Sequence, residues 1–350
     1  VDFKSISKEG MPKTNDYLWN EIVWYEQLHN AYLRARKGKR FRPEVLRYTD
    51  KLEENLIQIQ NELIWKTYIP SPQREFYVFD PKKRLIKAPA FRDRVVHHAL
   101  VKVIEPMFEK KFIYDSYACI KNKGTIGAVK KLQAFTRSTQ RKYGRYYVLK
   151  ADISQYFYSI DITVLKRLIK RTVSDKSTLW LIDKILDNNS EGTVGLPIGA
   201  LTSQLFANIY LDKLDHFVKD ELGVKNYLRY MDDFILIHPE KDYLKSALEK
   251  ITNFLHDELK LTMNRKTQIF QDNRGVDFCG YRIWPTHILP RKRNMRRAKK
   301  RFKRLRKQNL MLKELKTYVM TFIAYTKHCN GYNSTRSILN ELFKQKIKVE

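Results

Sequence analysis

Cysteine is scarce. Cys119, Cys279 and Cys329 are the whole complement of 350 residues, too far apart for a C-x-x-C pair, which argues against both a structural zinc site and a disulfide framework. No run approaches the roughly 18 uninterrupted apolar residues of a membrane span, and no basic N-terminal start leads into an apolar core. The expectation is a soluble, cytoplasmic protein. Internal repeats and low-complexity linkers are missing too. Acidic residues are outnumbered, with 38 Asp+Glu against 68 Lys+Arg and a formal net charge of +30. A surplus of that size speaks to partners rather than to fold, and nucleic acid is the default polyanion, with an anionic membrane as the weaker rival. Disorder does not explain it, because 43% of the residues are hydrophobic and Tyr and Phe number 21 and 18, enough for a sizeable core in two or three lobes.

Along the chain, Tyr17 to Lys37 reads as one amphipathic helix stopped by Gly38. Apolar residues at 52, 56, 59 and 63 form a helical stripe. Arg74 to Ala90 alternates around Asp80-Pro81-Lys82-Lys83, which predicts a hairpin whose tip carries Lys82, Lys83 and Arg84. Such a tip is either a phosphate clamp or an ordinary solvated turn. Helical periods follow over Arg94 to Phe108 and Gly124 to Phe135. The His97-His98 pair has no second ligand cluster, and adjacent helical positions point about 100° apart. A structural or nucleic-acid-facing role is expected there rather than a metal site. Tyr146 to Asp152 is a buried-type strand ending in an acid, the loop Gly195 to Ala200 leads into a helix over Leu205 to Val218, and another helix covers Asp242 to Leu259.

The last segment differs in kind. From Arg291 to Lys307, 12 of 17 residues are Lys or Arg, while Met295, Ala298, Phe302 and Leu305 recur at helical spacing. An apolar seam therefore docks one face of a helix, and a basic coat of Arg291, Lys292, Arg293, Arg296, Arg297, Lys300 and Arg304 meets phosphate. Residues from about Pro285 onward read as a small separate helical lobe.

Tyr230-Met231-Asp232-Asp233 lies between two strand-forming runs, 226–229 and 234–237, so adjacent carboxylates fall at a hairpin tip. Two like charges about 4 Å apart repel by roughly 4 kcal/mol at an effective dielectric near 20 unless a cation sits between them. A hydrophilic turn also reads Asp-Asp, and Asp152 alone is equally a helix cap or surface acid. Together the three acids favour a metal centre.

Taken in order, the strand-end Asp152, the loop and helix near Gly199, the hairpin acids and Lys266 resemble the palm of a reverse transcriptase. The resemblance runs from Arg74 through Tyr281, with the basic helical segment in the thumb's place. It implies an α+β right-hand polymerase with an antiparallel palm sheet backed by helices and a basic helical thumb. Residues 1–126 would be N-terminal extension and fingers, 127–161 palm, 162–198 fingers again, 199–284 palm again and 285–350 thumb. Within that family, Phe91-Arg-Asp-Arg-Val-Val-His-His-Ala-Leu100, Asp115-Ser-Tyr-Ala-Cys119 and Lys123-Gly124-Thr125 are similar to the enzymes of diversity-generating retroelements. The discriminating stretch is Ile198-Gly199-Ala-Leu-Thr-Ser203-Gln204. Most reverse transcriptases, group II intron enzymes among them, carry Gln before that Gly and Pro after that Ser. A retron, group II intron-like or phage-defence enzyme is the alternative, and from another class a non-catalytic RNA-binding scaffold.

The resemblance also implies roles. Asp152 and Asp232 bridge two Mg2+ ions, for which Mn2+ could substitute, supported by Asp233 and the Ile153 carbonyl, while a primer 3′-hydroxyl attacks the α-phosphate of a dNTP. Phe157 is a steric gate against ribose, or else simply a core ring. Arg84 with Lys82 or Lys83 grips the triphosphate, and Lys266 protonates pyrophosphate or is only solvated. Gly199 and Gln204 flank the nucleotide, and Phe278-Cys279-Gly280-Tyr281 forms the primer grip. Ile198 either lowers fidelity or merely packs under its loop. The implied partners are template RNA, an RNA–cDNA hybrid and a small basic, oligomeric accessory variability protein. The implied setting is a bacterial, archaeal or phage-encoded element that makes error-prone cDNA in mutagenic retrohoming.

Overall fold

The computed structural model describes residues 16–79, 82–189, 192–307 and 312–343. They form two compact units. One draws on Val1–Phe112, Ser154–Leu214 and Leu255–Leu261, the other on Ile113–Ile153, Asp215–Phe254 and Thr262–Glu350.

The first described elements are helices α1 (Asp16–Val23), α2 (Tyr25–Ala35), α3 (Pro43–Asp50) and α4 (Leu52–Ile64). The hairpin β1 (Arg74–Val78) and β2 (Arg84–Ala88) follows, then α5 (Phe91–Glu109), α6 (Thr125–Tyr143) and β3 (Tyr147–Asp152). Next come α7 (Tyr156–Ser159), α8 (Ile162–Lys170), α9 (Lys176–Asn189) and α10 (Leu201–His216), which continues through a π-helical turn at Phe217–Glu221. Strands β4 (Tyr227–Tyr230) and β5 (Asp233–His238), helix α11 (Lys241–Leu259) and β6 (Gln268–Gln271) complete a four-stranded set. Three short strands β7 (Val276–Phe278), β8 (Tyr281–Ile283) and β9 (Ile288–Pro290) precede α12 (Lys292–Lys307), α13 (Leu312–Thr326) and α14 (Tyr332–Phe343).

In the first unit, α5 is the central helix. Val95, Val96, Ala99, Leu100 and Ile104 are buried along it, and each fully buried Val, Leu or Ile side chain stabilises by roughly 1.5–3 kcal/mol. The single N-terminal helix expected from periodicity is two, because Trp24 takes an extended backbone (φ −59°, ψ 130°) between α1 and α2. The hairpin pairs antiparallel from Arg74↔Ala88 to Val78↔Arg84. Its expected tip residues Asp80 and Pro81 lie outside the described residues.

In the second unit, an antiparallel sheet runs in the order β4-β5-β3-β6. Strands β7-β8-β9 form a second antiparallel sheet. Ala128, Val129 and Leu132 of α6, Val148 of β3, Ile235 and Ile237 of β5, and Phe278 and Ile283 share one core, so the sheet is backed by a helix, as an α+β polymerase palm requires. Helix α6 runs eight residues past the expected Phe135, since its last turns are polar and carry no apolar period, and Gly144 ends it at φ 75° with its N–H on the Gln140 carbonyl. The helical lobe begins at Lys292 and not near Pro285, because Ile288–Pro290 pairs with β8 as an edge strand where proline costs no ladder bond. Phe302 and Leu305 of the basic helix pack on Phe322 and Ile338, the expected seam. No described helix is long and apolar enough to cross a membrane.

Candidate active site

The second unit brings the three sequence-flagged aspartates to one end of its sheet. Asp152, the last residue of β3, is the register partner of Asp233, the first of β5. Strand alternation then places Val148 and Ile237, Lys150 and Ile235, and Asp152 and Asp233 as successive pairs on one face. That face is apolar core at one end and carboxylate at the other. Asp232 occupies the two-residue turn with Met231, whose φ of 57° is left-handed, a conformation that costs a non-glycine residue roughly 1–2 kcal/mol. Arg229 offsets this cost, its Nη1 donating to the Met231 carbonyl at 3.0 Å. Arg229 is fully buried and donates to Asp215 twice, Nε to Oδ1 at 2.7 Å and Nη2 to Oδ2 at 2.6 Å. Tyr227 also donates to Asp215, at 2.6 Å. Nothing in the local pattern around Arg229 separates this buried clamp from an ordinary strand arginine.

Burial, then the charge of the neighbouring Asp152 carboxylate, pushes the Asp232 carboxyl up to about 6. Burial also pushes Asp233 up to about 6, opposed by Lys150, whose Nζ lies 3.2 Å from Asp233 Oδ2. Asn264, which the sequence did not single out, donates from Nδ2 to Asp152 Oδ2 at 2.9 Å and from its main chain to the Asp152 carbonyl at 2.8 Å. Its Oδ1 accepts the Lys266 N–H at 3.0 Å, so the loop bearing the exposed Lys266 is tied to Asp152. Ile153 forms a bridge with Met263.

Among the described residues, no three His, Cys, Asp or Glu side chains are already arranged as a cage for one ion. The close pair is Asp152 with Asp232, and Asp233 points to Lys150. The donor set still fits a hard divalent cation. Its ligand atoms are all oxygen, the pair is held in mutual repulsion, and Asp233 Oδ1 is buried with no hydrogen-bond partner.

The 278–281 segment lies beside these acids. The ring of Phe278 meets Tyr230 edge-on at 6.4 Å, and burial, then Asp233, raises the Cys279 thiol to about 12. Cys279 (φ 46°) and Gly280 (φ 90°) make the turn between β7 and β8. Tyr325 donates to the Gly280 carbonyl at 2.5 Å, fixing the turn against α13. Of the expected phosphate contacts, Lys292, Arg293, Arg296, Arg297, Lys300 and Arg304 are exposed on α12. Arg291 is half-buried, 3.7 Å from Asp277.

The first unit gathers other predicted residues. Tyr156 takes the core position, donating to the Ala207 carbonyl at 2.5 Å, and Phe157 stays half-buried. The Phe157 carbonyl accepts from Leu196 at 2.7 Å, and the Ile198 carbonyl accepts from Lys87 at 3.1 Å. Gly199 (φ 135°) is required there, since a Cβ would stand 3.0 Å from Ile86 Cγ2 and 3.1 Å from the Lys87 carbonyl. Phe157, Ile198 and Gly199 thus share a neighbourhood with β2, at whose start Lys82, Lys83 and Arg84 are exposed. Exposed Gln204 lines a cavity of about 560 Å³ with Gly199, Lys39, Arg42, Arg74 and Arg94. No motif foretold those four cations together, because Lys39 and Arg42 come from one part of the chain and Arg74 and Arg94 from two others. His97 is buried, with Nδ1 3.2 Å from Thr202 Oγ1, so the structural role is the one observed.

Comparison with known proteins agrees with this geometry. The family profile described as reverse transcriptase (RNA-dependent DNA polymerase) matches residues 72–283. Protein YkfC of Escherichia coli K12 is 26% identical over 275 residues, 67% of this chain and 72% of YkfC. The group II intron-encoded protein LtrA of Lactococcus lactis is 24% identical, over 76% of this chain and 56% of LtrA. Apo telomerase of Candida tropicalis shares the fold with a TM-score of 0.53 at 13% identity, over 79% of this chain and 57% of that one. The chain therefore spans little more than half the length of LtrA and of that telomerase. With a right-hand polymerase fold and acids at the end of its palm sheet, the chain belongs to the reverse transcriptase family, the RNA-directed DNA polymerases.

Proposed function

We propose that this chain copies the template-repeat RNA of its own diversity-generating retroelement into error-prone cDNA during mutagenic retrohoming. The polymerase chemistry rests on one observation, the meeting of Asp152, Asp232 and Asp233 at one sheet end beside the Cys279–Gly280 turn. Asp152 and Asp232, with the Ile153 carbonyl, would hold Mg2+, or Mn2+ in its place, with Asp233 in support. Divalent cations bound there supply charge stabilisation to the attacking and leaving oxygens. Arg84, with Lys82 and Lys83, holds the triphosphate through fork-shaped hydrogen bonds. The Phe157 ring leaves no space for a 2′-hydroxyl and offers it no hydrogen bond. Lys266 gives a proton to departing pyrophosphate, and the 278–281 turn holds the primer. The basic coat of α12 engages phosphates of the RNA template and hybrid, so binding weakens steeply with salt.

Ile198 before Gly199 and Gln204 after Ser203 support the narrower reading. A β-branched hydrocarbon replaces an amide at 198, leaving fewer polar contacts to hold the nascent pair and therefore less discrimination against a wrong one. A small basic accessory variability protein would complete the system. A second reading, an intron-type enzyme, is favoured by the similarity to LtrA, which a group II intron encodes.

Purified protein given primed RNA, Mg2+ and dNTPs, with and without an accessory protein, tests both readings when the cDNA is sequenced. The expected product carries substitutions concentrated at template adenines, and Ile198→Gln lowers their frequency severalfold. Phe157→Ala is expected to admit ribonucleotides. A uniformly low error rate favours the intron reading, and no cDNA under any priming condition favours a non-catalytic scaffold.

A further inference from the structure

Lys150 places a charge on a sheet face whose neighbours Val148, Ile235 and Ile237 belong to the core. It lies on the same face of β3 as Val148, which is in the core, and as Asp152, which ends the strand. Its cross-strand partner is Ile235 and its diagonal neighbour is Asp233. An ammonium placed there needs acceptors, and it has two of different kinds. Nζ donates to the Asp277 carbonyl on β7 at 2.5 Å and lies 3.2 Å from Asp233 Oδ2. Asp277 in turn lies one residue before Phe278, whose strand leads into the Cys279–Gly280 turn. One side chain therefore joins the carboxylate tip to the strand that carries the proposed primer grip.

We propose that Lys150 is a positioning residue that holds Asp233 in its supporting place, restrained through Oδ2 from closing fully on a cation held by Asp152 and Asp232, and ties the aspartate tip to the 278–281 turn. The proposal rests on the polymerase reading for its consequence but not for its first readout. Electrostatically, the lysine places a positive charge beside a carboxylate that would otherwise be free to close on a cation held by Asp152 and Asp232. Mechanically, the bond to the Asp277 carbonyl fixes the distance between that tip and the turn. Removing the ammonium therefore has two opposite effects. The cation is bound more tightly, because a repelling charge is gone and a third carboxylate is free. Nucleotide addition slows, because the turn and the tip are no longer held in register.

The test uses the full chain and Mn2+ alone as probe, its binding followed by electron paramagnetic resonance. Lys150→Met is expected to tighten Mn2+ binding by about fivefold or more, since a charge only a few ångströms from the site is removed. Lys150→Gln, which keeps a donor for the Asp277 carbonyl, is expected to do the same, and Lys150→Arg to stay near wild type. In single-turnover primer extension, Lys150→Met should lower the maximal rate by about tenfold or more with the dNTP KM little changed. Lys150→Gln should lose less, and Lys150→Arg should recover most of the rate. Folded Met and Gln variants that bind Mn2+ as wild type does would overturn the proposal, whether or not the protein extends a primer. Tighter Mn2+ binding in the Met and Gln variants, alongside a wild type that makes no cDNA, would keep the proposal and remove the polymerase reading instead.

Discussion

Asp152 and Asp233 stand directly opposite each other at the open end of β3 and β5. Directly opposed strand positions bring Cβ atoms to about 4.5–5.5 Å, where like charges destabilise the pairing. Asp232 adds a third charge from the adjoining turn, and Lys150 answers from the same face, with Arg291 a smaller favourable charge on Asp233. Such an arrangement stores repulsion that a cation would relieve.

Asp232→Asn is accordingly expected to act in opposite senses on stability and on activity. Cation-free protein should melt about 1–3 °C higher, as relief of part of a kilocalorie per mole or so implies for a chain of this size. Primer extension should fall by at least about a hundredfold. A lower melting temperature together with preserved extension would remove the electrostatic account of the tip.

Arg229 is the structural clamp of the same turn. Arg229→Met leaves Asp215 buried without its partner, and breaking a buried ion pair from one side costs about 3–5 kcal/mol. Urea unfolding should show a loss of that order, with Arg229→Lys only partly restoring stability because it cannot make the bidentate contact. A loss under about 1 kcal/mol would mean that the pair is not the clamp described.

Acid should destabilise the first unit through two histidines. Burial, then the charges of His98 and Arg94, lowers His97 to about 3. Burial, then Arg34, Lys39 and Arg94, lowers His98 to about 4. Both stay neutral in the folded chain while the unfolded chain takes up protons below about 6.5, so stability is full above that pH and falls as the pH drops towards 4 and 3. Urea midpoints measured from pH 7 to pH 4 should decline, and His97→Gln should flatten the decline. An equal slope in the variant would exclude His97 as the cause.

Gly199→Ala probes the loop that carries Ile198. Its Cβ would press on the Lys87 carbonyl, which is main chain and gives way poorly, at a φ that L residues rarely adopt. A destabilisation of roughly 1–3 kcal/mol is expected, with a raised KM for dNTP and a smaller change in maximal rate. Wild-type melting and kinetics would show that the loop is free to move there.

Much of the fold was legible because its signals are local. The hairpin around 230–233, the β1–β2 ribbon, the stripe of α4 and the apolar seam of α12 each write a period or a turn into consecutive residues. The miss at Trp24 has the opposite cause, since periodicity continues across it and only the backbone conformation breaks. Ile288–Pro290 was overlooked because three residues are too short for alternation to register, and the strand exists only through β8.

For the site, the sequence alone determined which chemistry is available. Adjacent acids at a turn, an acid ending a strand, a glycine loop and a basic helix with an apolar seam are properties of residue type and spacing, and these survive without coordinates. Only the tertiary structure decided which partners those groups meet. Lys150 faces Asp233, Asn264 holds Asp152, Arg229 is buried on Asp215, and cations from three separated segments line one cavity with Gln204. The reason is that a charge's energy depends on burial and on neighbours a few ångströms away, and those neighbours are supplied by strand register and helix packing across long stretches of chain.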